Sequence, residues 1–550
     1  MILALFVLTL VFTLGISLVS LTTSSLRASR RDAVRARALA CAEAGVDQAI
    51  SFLMAGGPDG EIAGDWRTGH PSANPDNHAG DSMWVASPAS GETFRLCVRT
   101  GSGVTSGKTV ITSIGTVVDG GITITRTVKV AVVVKKDNVN CWSNAIFGGV
   151  GQAGKSINGN VQIMGSIHLL GDGEEYTDVD GDGHWDNNEA YMDSNGNGVW
   201  NAGEPFLDVD GDGRRDSREP FMDANGNGTR DPALTVTDMA EELSGTARVG
   251  NNYSSMPAAL RALVPNPPTV NYGGETVESL NAKLRVKHGR VNISGSATVG
   301  DPNSASNSVK ETLDGTYVSD GFGGTTGTGG VSSDNGYANG YDLGDGLVTM
   351  PLITYGAYTR GGSSYTNYQE YLRANATVVS GDVTFTKGTA KTISGPKGSI
   401  VMDAAGNMTI SGIVYIDGNV SFGPSKSRII YSGSGTIVTA NSAYVHCDLL
   451  PKTNFPITDA LGLVAADKVE LATGSGDAQL TMAIAMYAQH KIISNKQSEI
   501  AGTMVTSYFS MTNVPRLYQA PELANHLPPG MPGADPIYIV HLNVDSWREQ

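Results

Sequence analysis

The chain opens with a hydrophobic stretch that passes into an alternating pattern of apolar and charged positions. Residues 1–26 carry no charged side chain, and a run of this length can cross a bilayer as a helix. Residues 27–55 then place apolar side chains at helical spacing, with arginine, aspartate and glutamate between them. Gly56-Gly57-Pro58 ends the pattern. Residues 1–56 are therefore predicted to form one helix of about 55 residues, roughly 80 Å long, that is apolar all round in its first half and amphipathic in its second.

A second pattern, alternation interrupted by turns, follows between residues 82 and 136. It predicts four antiparallel strands, with Asp119-Gly120-Gly121 as a hairpin turn. Residues 58–81 are expected to form a loop. Because such a sheet would bury the apolar face of the helix, residues 57–140 are predicted to be a small antiparallel β head.

From residue 141 onward the pattern changes to short β-branched runs separated by glycine, asparagine and aspartate. Strands this short and this regularly spaced suit a sandwich, a barrel or a β-solenoid. The recurrent Ile-Ser-Gly, Gly-Asn-Val and Gly-Thr elements favour a right-handed parallel β-helix, which would turn at small residues, and a β-sandwich is the alternative. The predicted fold class is α+β, mostly β.

This solenoid region is expected to be discontinuous in sequence. It begins over residues 141–170 and resumes over 346–550, which includes a C-terminal tail with a strand-like end. Residues 171–235 are predicted to be an inserted array of repeats. Residues 236–345 are predicted to form a connector with Gly-rich loops, in which residues 238–250 form a short helix.

The inserted array is a fifteen-residue repeat over residues 178–234, and each copy opens with an oxygen-rich loop. The first three copies match D-x-[DN]-x-[DN]-G-x5-E, the pattern of a calcium-binding loop, at every defined position. The fourth copy has Leu234 in place of the closing glutamate and is expected to bind more weakly. The alternative, an acidic disordered linker, would not keep a strict period.

The predicted ligands lie on alternate positions of each loop and at its closing acidic position, where Ca²⁺ can collect the 6–8 oxygen ligands that it takes. His184 would contribute its backbone carbonyl. We expect three to four bound Ca²⁺ ions. The predicted ligands are Asp178, Asp180, Asp182, His184, Asp186, Glu189, Asp193, Asn195, Asn197, Asn201, Glu204, Asp208, Asp210, Asp212, Asp216, Glu219, Asp223, Asn225, Asn227 and Asp231.

Composition and charge narrow the class of function. The 69 glycines and 7% aromatic residues favour turn-rich β architecture, and 550 residues can hold two or three domains. A net charge of −16 with scattered lysine and arginine argues against a nucleic-acid partner. Cys41, Cys97, Cys141 and Cys447 are too far apart for a zinc pattern, and they permit disulfides whose pairing the sequence does not determine.

The sequence shows no catalytic constellation. Charged residues in the solenoid region are sparse, no Gly-x-Ser-x-Gly or His-Glu-x-x-His motif occurs, and the histidines have no ligand spacing. A β-helix enzyme acting on polysaccharides would need acidic and basic residues clustered on one face. We therefore expect no enzyme and no catalytic residues.

The half-apolar, half-amphipathic helix leading into a β domain resembles the type IV pilins. In their PilX-type branch an Arg-rich stretch precedes an Ala-Glu-Ala-Gly-like element, which is Ala42-Glu43-Ala44-Gly45 here. The calcium loops resemble the tandem repeats of thrombospondin type 3 and dockerin-like segments. The chain departs from most pilins at Leu5, where they carry a glutamate that pairs with the neighbouring subunit.

The pilin resemblance implies a subunit that sits in the inner membrane and then buries residues 1–55 in the core of an extracellular filament. Its partners would be copies of itself or other pilins through residues 1–55, with a surface or glycan ligand as a further expected class. The alternatives are a minor or tip pilin and a membrane-anchored surface adhesin. Met1 is expected to follow a removed leader, and the helix is expected to unwind locally over residues 13–23 in the filament.

Overall fold

In the computed structural model a long N-terminal helix is followed by a chain that is mostly β-strand. By compactness the chain divides into an N-terminal unit, residues 1–138 with 538–550, and a body, residues 139–537. The predicted α+β, mostly β class is confirmed in three features. They are a long apolar helix, a small antiparallel sheet and a large, mainly parallel sheet. The structure describes residues 1–56, 64, 84–100, 107–151, 161–171, 230, 242–243, 246–272, 275–286, 291–293, 295–300, 315–318, 322–323, 348–511 and 513–549.

The N-terminal unit consists of one helix and a five-stranded antiparallel sheet. Helix α1 spans Ile2–Ala55, as the hydrophobic pattern predicts. The strands lie in the order β1-β2-β3-β4-β34, so the last strand of the chain forms one edge. Their bounds are β1 Trp84–Ala86, β2 Glu92–Thr100, β3 Thr109–Asp119, β4 Ile122–Asn138 and β34 Tyr538–Glu549.

The hairpin between β3 and β4 turns where the sequence predicts. Gly120 has φ 54° and Gly121 has φ 80°, and these two positive angles are what a type I′ turn requires. The four predicted strands are confirmed as antiparallel neighbours.

The C-terminal strand departs from the predicted domain boundaries, which grouped it with residues 346–550. It pairs with β4 from Tyr538 opposite Asn138 to Glu549 opposite Val128. Leu542 packs against the core between the helix and the sheet. Without this partner the 17-residue strand β4 would present an unpaired edge. The body is therefore inserted in the chain between two neighbouring strands.

Helix α1 packs on the sheet through a stripe of mostly small residues at helical spacing. The stripe meets β3 so closely that a Cβ at Gly115 would lie 2.3 Å from the carbonyl oxygen of Ala38 and 2.4 Å from the backbone nitrogen of Ala42. Glycine is therefore the residue that fits at this crossing. The buried residues of the helix are Val34, Ala38, Cys41, Ala42, Gly45, Val46, Ala49 and Leu53.

The body is built from short strands, with a few helical turns. Its first strands are β5 Ile146–Gly151, β6 Gln162–Met164, β7 Ile167–Leu169, β8 Glu242–Leu243, β9 Arg248–Gly250, β10 Thr269–Tyr272, β11 Glu275–Glu278, β12 Lys283–Val286, β13 Val291–Ile293, β14 Thr298–Val299, β15 Gly315–Val318 and β16 Phe322–Gly323. Next come β17 Tyr358–Arg360, β18 Ser363–Tyr365, β19 Thr377–Val379, β20 Val383–Thr386, β21 Lys391–Ser394, β22 Gly398–Met402, β23 Asn407–Ile416, β24 Val420–Gly423 and β25 Arg428–Ser432. The last are β26 Ser434–Thr439, β27 Ala443–Val445, β28 Asp448–Pro451, β29 Ala460–Ala465, β30 Lys468–Leu471, β31 Thr481–Ser494, β32 Glu499–Met511 and β33 Arg516–Tyr518.

The helical pieces of the body are short. They are α2 Ala258–Arg261, α3 Tyr368–Ala374 and two 3₁₀ turns at Cys141–Ser143 and Leu523–Asn525. The helix predicted over residues 238–250 is wrong, because the described part of that range contains β8 and β9.

Most strands of the body join one large sheet of mainly parallel pairings, arranged in three stacks. Stack A runs through β19, β23, β26, β29, β31, β32, β5, β7, β12 and β15. Stack B runs through β20, β24, β27, β30 and the later halves of β31 and β32. Stack C runs through β25, β28, the starts of β31 and β32, then β33, β6, β9 and β14.

Each stack aligns buried side chains from strand to strand, which explains how strands of this length stay in place. Every residue of the aligned series in stack A is at most 1% exposed, so one apolar ladder continues through the stack. That series is Val414, Ile437, Leu463, Met486, Met504, Ile146, Ile167 and Leu284.

The spatial order of the stacks differs from the order of the chain. Met504 in β32 lies opposite Ile146 in β5, and Leu517 in β33 lies opposite Ile163 in β6. The last strands of the body therefore pair with its first strands. A level is the set of strands, one from each stack, that pair with the same neighbouring strands. One level combines β33 from the end of the body with β5 from its start, since both pair with β32.

Smaller sheets lie beside the stacks. Strands β21 and β22 extend β23 in antiparallel fashion. Two isolated hairpins are formed by β10 with β11 and by β17 with β18. Strand β13 pairs in parallel with both β8 and β16.

We expect Gly115→Val to destabilise the N-terminal unit by about 2–3 kcal/mol, because the new side chain meets helix backbone that cannot turn aside. The measurement is urea unfolding of the full chain in detergent. Gly15→Ala is the control, since a Cβ at Gly15 has nothing within 4 Å. Equal unfolding midpoints for the two variants would contradict the close packing.

Candidate functional site

The first candidate site is the unpacked half of helix α1. Every residue from 1 to 33 is exposed, and the first buried position is Val34. By length and composition the helix can cross a membrane, although a signal sequence near an N-terminus would pass the same test. The large apolar side chains exposed there are Met1, Ile2, Leu3, Leu5, Phe6, Val7, Leu8, Leu10, Val11, Phe12, Leu14, Ile16, Leu18, Val19, Leu21 and Leu26.

Five hydroxyl side chains of this half bond to the backbone of the helix itself. The hydroxyls of Thr9 and Thr13 donate to backbone carbonyls three and four residues earlier, at 2.7–2.9 Å. Those of Thr22, Thr23 and Ser24 donate to a carbonyl three or four residues earlier as well. These five hydroxyls can therefore enter an apolar medium without becoming unpaired donors.

Arginine residues mark the boundary between the unpacked and packed halves. Arg30 lies 3.0 Å from Asp119, and Arg37 lies 2.8 Å from Glu92 and 3.0 Å from Asp119. These pairs join the helix to the β3–β4 hairpin turn and to β2. Because they are largely exposed, each contributes little stability.

The predicted calcium ligands lie outside the described residues. None of the predicted ligands between Asp178 and Asp231 belongs to the described residues, so calcium binding stays a prediction. Within the described part of the chain, no group of three or more histidine, cysteine, aspartate or glutamate side chains could hold a metal ion.

The four cysteines are buried in the described part of the chain, and none of them forms a disulfide. Burial raises the pKa of the Cys447 thiol to about 12 and raises that of Cys141 as well. A thiol that stays protonated is a poor nucleophile, so the cysteines of the body are packing residues.

The body contains a ladder of polar side chains that the sequence reasoning missed. The ladder residues Asp382, Asn419, Ser442, Asp467 and His490 each precede a strand segment of stack B. The backbone nitrogen of Asn419 donates to Asp382 at 2.7 Å, and the Asn419 side-chain oxygen accepts from the Ser442 nitrogen at 3.2 Å. The Ser442 hydroxyl donates to Asp467 at 2.6 Å, and His490 Nδ1 lies 3.3 Å from the same carboxylate.

Serine, aspartate and histidine in the ladder do not form a catalytic triad. Ser442 and His490 both bond to Asp467 and not to each other, so there is no pairing of a nucleophile with a base. The ladder links successive levels of stack B. The recurrent Gly-Asn-Val element, which includes Asn419, was the one sequence signal for it.

A cluster of tyrosines was also missed. Tyr355, Tyr358, Tyr365, Tyr368 and Tyr371 fall within a single stretch of the sequence. The ring centroids of Tyr358 and Tyr368 are 4.7 Å apart, and those of Tyr358 and Tyr371 are 5.0 Å apart. The density of tyrosine in a chain with few aromatic residues was the available signal.

No family model matches the chain, and neither a curated protein nor a solved structure shows significant similarity to it. The pilin resemblance therefore stays an expectation drawn from the sequence.

We expect the contribution of Asp467 to stability to disappear in acid. The hydrogen bond from His490 lowers the pKa of Asp467 in the folded chain below its usual value of about 3.9. Its stabilisation is therefore present above that value and is lost as the pH falls through the folded-state pKa. Asp467→Asn should lower the free energy of unfolding of the body by up to about 1 kcal/mol at pH 7, and the loss should be smaller at pH 2.

Urea unfolding of the full chain at the two pH values measures this difference. The control is Asp535→Asn, which removes an exposed carboxylate outside the ladder. The same loss of stability at both pH values would show that the Asp467 charge is not the stabilising feature.

Proposed function

We propose that this chain is a structural subunit of an extracellular type IV pilus-like filament, which polymerises through residues 1–55. The observation that carries the proposal is the exposed apolar half of helix α1 on a helix whose other half packs on a small sheet. Each such apolar side chain gains about 1.5–3 kcal/mol when it leaves water. The inner membrane would cover this surface before assembly, and the helices of other copies would cover it in the filament.

The N-terminal unit supports the proposal through its layout. A long helix packed by its second half on an antiparallel sheet is the arrangement that the pilin resemblance implies. The arginine pairs at Asp119 and Glu92 lie next to the point where the helix becomes unpacked. They would keep the charged boundary out of the apolar layer of a membrane or filament.

The connectivity supports display of the body. Asn138 and Tyr538 face each other in the sheet, so the body leaves and re-enters the N-terminal unit at adjacent residues. The body could therefore vary in size without a change in helix α1.

We infer that the body is a parallel β-helix and not a sandwich. Three stacks of parallel pairings, aligned buried side chains and a ladder of polar side chains all repeat from level to level. A sandwich is built from antiparallel sheets that pack face to face. The recurrent small residues in the sequence fit turns between the strands.

The calcium repeats would stiffen a loop of this body. Residues 178–234 lie between β7 and β8 in sequence, so they would form an inserted array. Bound ions would also neutralise part of the net charge of −16. Three to four Ca²⁺ ions remain the predicted number.

A second candidate is a minor or tip pilin, or a membrane-anchored adhesin. It is favoured by the absence of an acidic residue from the first turn of α1, where Leu5 stands. A subunit without that acid would lack one pairing with its neighbour. The abundance of the chain in the filament shaft distinguishes these alternatives.

We expect Val11→Asp to abolish incorporation into filaments while the sheet and body stay folded. A charge at the centre of an apolar helix costs about 2.5–3.5 kcal/mol in a membrane, and residue 11 has no protein partner to offset it. The measurement is electron microscopy of filaments sheared from cells, with mass spectrometry for the chain.

Asp47→Lys is the matched control, because it changes the charge of an exposed residue on the packed half of the same helix. Normal filaments containing Val11→Asp would contradict polymerisation through the apolar half. Wild-type chain found in the membrane fraction but not in the shaft would support the second candidate.

We expect EDTA to increase protease cleavage within residues 178–234 before any other part of the chain. Without the metal the clustered carboxylates repel one another and the repeats loosen. Glu204→Gln should remove or weaken one site, and Glu522→Gln, outside the repeats, should not. Unchanged cleavage in EDTA, with equal calcium stoichiometry in both variants, would contradict the calcium prediction.

A further inference from the structure

The body carries a cleft that plays no part in the proposed filament assembly. Two segments of the chain line it, residues 351–360 and residues 532–535, together with Tyr368. Its volume is about 250 Å³, which is smaller than the roughly 300–1,000 Å³ of sites for drug-sized ligands. The cleft is therefore of a size for one small ring.

The walls of the cleft are fixed by buried polar side chains of the body. Trp142 Nε1 donates to the carbonyl of Pro532 at 2.7 Å, and the backbone nitrogen of Ile353 donates to Gln489 at 2.7 Å. The Tyr487 hydroxyl donates to the carbonyl of Pro351. Trp142, Tyr487 and Gln489 are fully buried, so both segments are held to a rigid support.

Tyrosine rings form the apolar part of the cleft. The Tyr358 and Tyr368 rings meet edge to face at 86°, and the Tyr368 hydroxyl donates to the carbonyl of Met531 at 3.3 Å. Tyr355 is 38% exposed and, among the described residues, its hydroxyl has no partner. Partial burial raises the pKa of Tyr355, so this hydroxyl stays a donor at neutral pH.

Charged groups stand at the rim of the cleft. Arg360 Nη1 donates to the Tyr358 hydroxyl at 3.3 Å, and the guanidinium lies 5.8 Å from the Tyr371 ring centroid. Among the described residues no carboxylate lies within ion-pair distance of Arg360. Asp535 is exposed and also lines the cleft. The rim therefore offers one guanidinium fork and one carboxylate beside the rings.

We propose that this cleft binds an acidic sugar, a pyranose ring that carries a carboxylate, as found in uronic-acid polysaccharides. The tyrosine rings present flat apolar faces to the C–H face of a sugar ring. Arg360 binds the sugar carboxylate through two parallel hydrogen bonds, which is the geometry that guanidinium favours. Asp535 accepts hydrogen bonds from the sugar hydroxyls.

Other ligands fit this chemistry less well. An alkylated ammonium ion is often held in a cage of aromatic rings, and Asp535 would attract it, but the guanidinium of Arg360 lies 5.8 Å from the Tyr371 ring centroid and opposes a second cation beside the rings. A neutral sugar would leave the guanidinium fork without its carboxylate. The charge of Arg360 is therefore the feature that selects an acidic sugar.

A single shallow site of this size gives weak affinity, with a Kd on the order of 1 mM. If the chain polymerises as proposed, a filament would display many copies of the site. Effective concentration would then raise the overall affinity for a polysaccharide well above that of one site. The cleft itself does not depend on polymerisation.

The test is saturation-transfer NMR and calorimetry on the full chain in detergent micelles with calcium. The probes are oligomers of galacturonate, glucuronate and mannuronate. The methyl esters of the same oligomers are the uncharged control ligands. We expect at least one acid to bind, and Arg360→Gln to weaken that binding at least tenfold without changing the weak binding of its ester. Tyr355→Ala should weaken both.

Tyr444→Ala is the control, because Tyr444 is a half-buried tyrosine elsewhere in the body and should leave binding unchanged. Failure of every acid to bind at 10 times the expected Kd would overturn the proposal. So would acid binding that both variants leave intact, or that EDTA alone removes, since the ligand would then lie elsewhere or on bound calcium. Tighter binding of tetramethylammonium than of any acid would identify a cation cage instead.

Discussion

The pairing between Ile122–Asn138 and Tyr538–Glu549 is the contact on which the rest of the chain depends. It closes the small sheet with the last strand and fixes both ends of the body at adjacent positions. The backbone nitrogen of Val139 donates to the carbonyl of Ile537 at 2.7 Å, so the first and last residues of the body are also paired with each other. Because loop-closure entropy grows only slowly with length, a folded insertion of this size is tolerated. The sheet that supports helix α1 is complete only once the C-terminus is present.

Inside the body, strands near its start likewise depend on strands near its end. Ile146 and Ile163, near its start, lie opposite Met504 and Leu517, near its end. The first strands are short and have no partner on that side until the last strands form. The buried ladder of stack A therefore becomes continuous only when the two ends of the body meet. Contacts this distant in sequence slow folding, so the body is expected to form its continuous run from β19 to β32 before it adds β5.

Local patterns in the sequence predicted the helix, the strands and the turn of the N-terminal unit. The pairing of distant strands depends on non-local contacts that such patterns do not contain. Helix α1, the strands β1–β4 and the turn at Gly120 follow from spacing within a few residues. The C-terminal strand was recognisable as a strand, but alternation does not identify a partner such as β4. The helix expected over 238–250 failed because Val249 aligns with Ile163 and Val299 in stack C, and that packing outweighed local propensity. The polar ladder was hidden because its residue type changes at every level.

The apolar half of helix α1 and the tyrosine cleft differ in the environment that suits them, apolar for the helix and aqueous for the cleft. Residues 1–26 carry no charge and expose large apolar side chains, so their transfer out of water is favourable and a charge introduced there is costly. The proposed sugar-binding cleft would need access to water and would act through the charges of Arg360 and Asp535. The body buries its own apolar ladders and does not need the helix to form its core. Because the two features belong to different compact units, in the proposed filament the helix would be constrained by packing against identical neighbours, while the body could change with the surface that it meets.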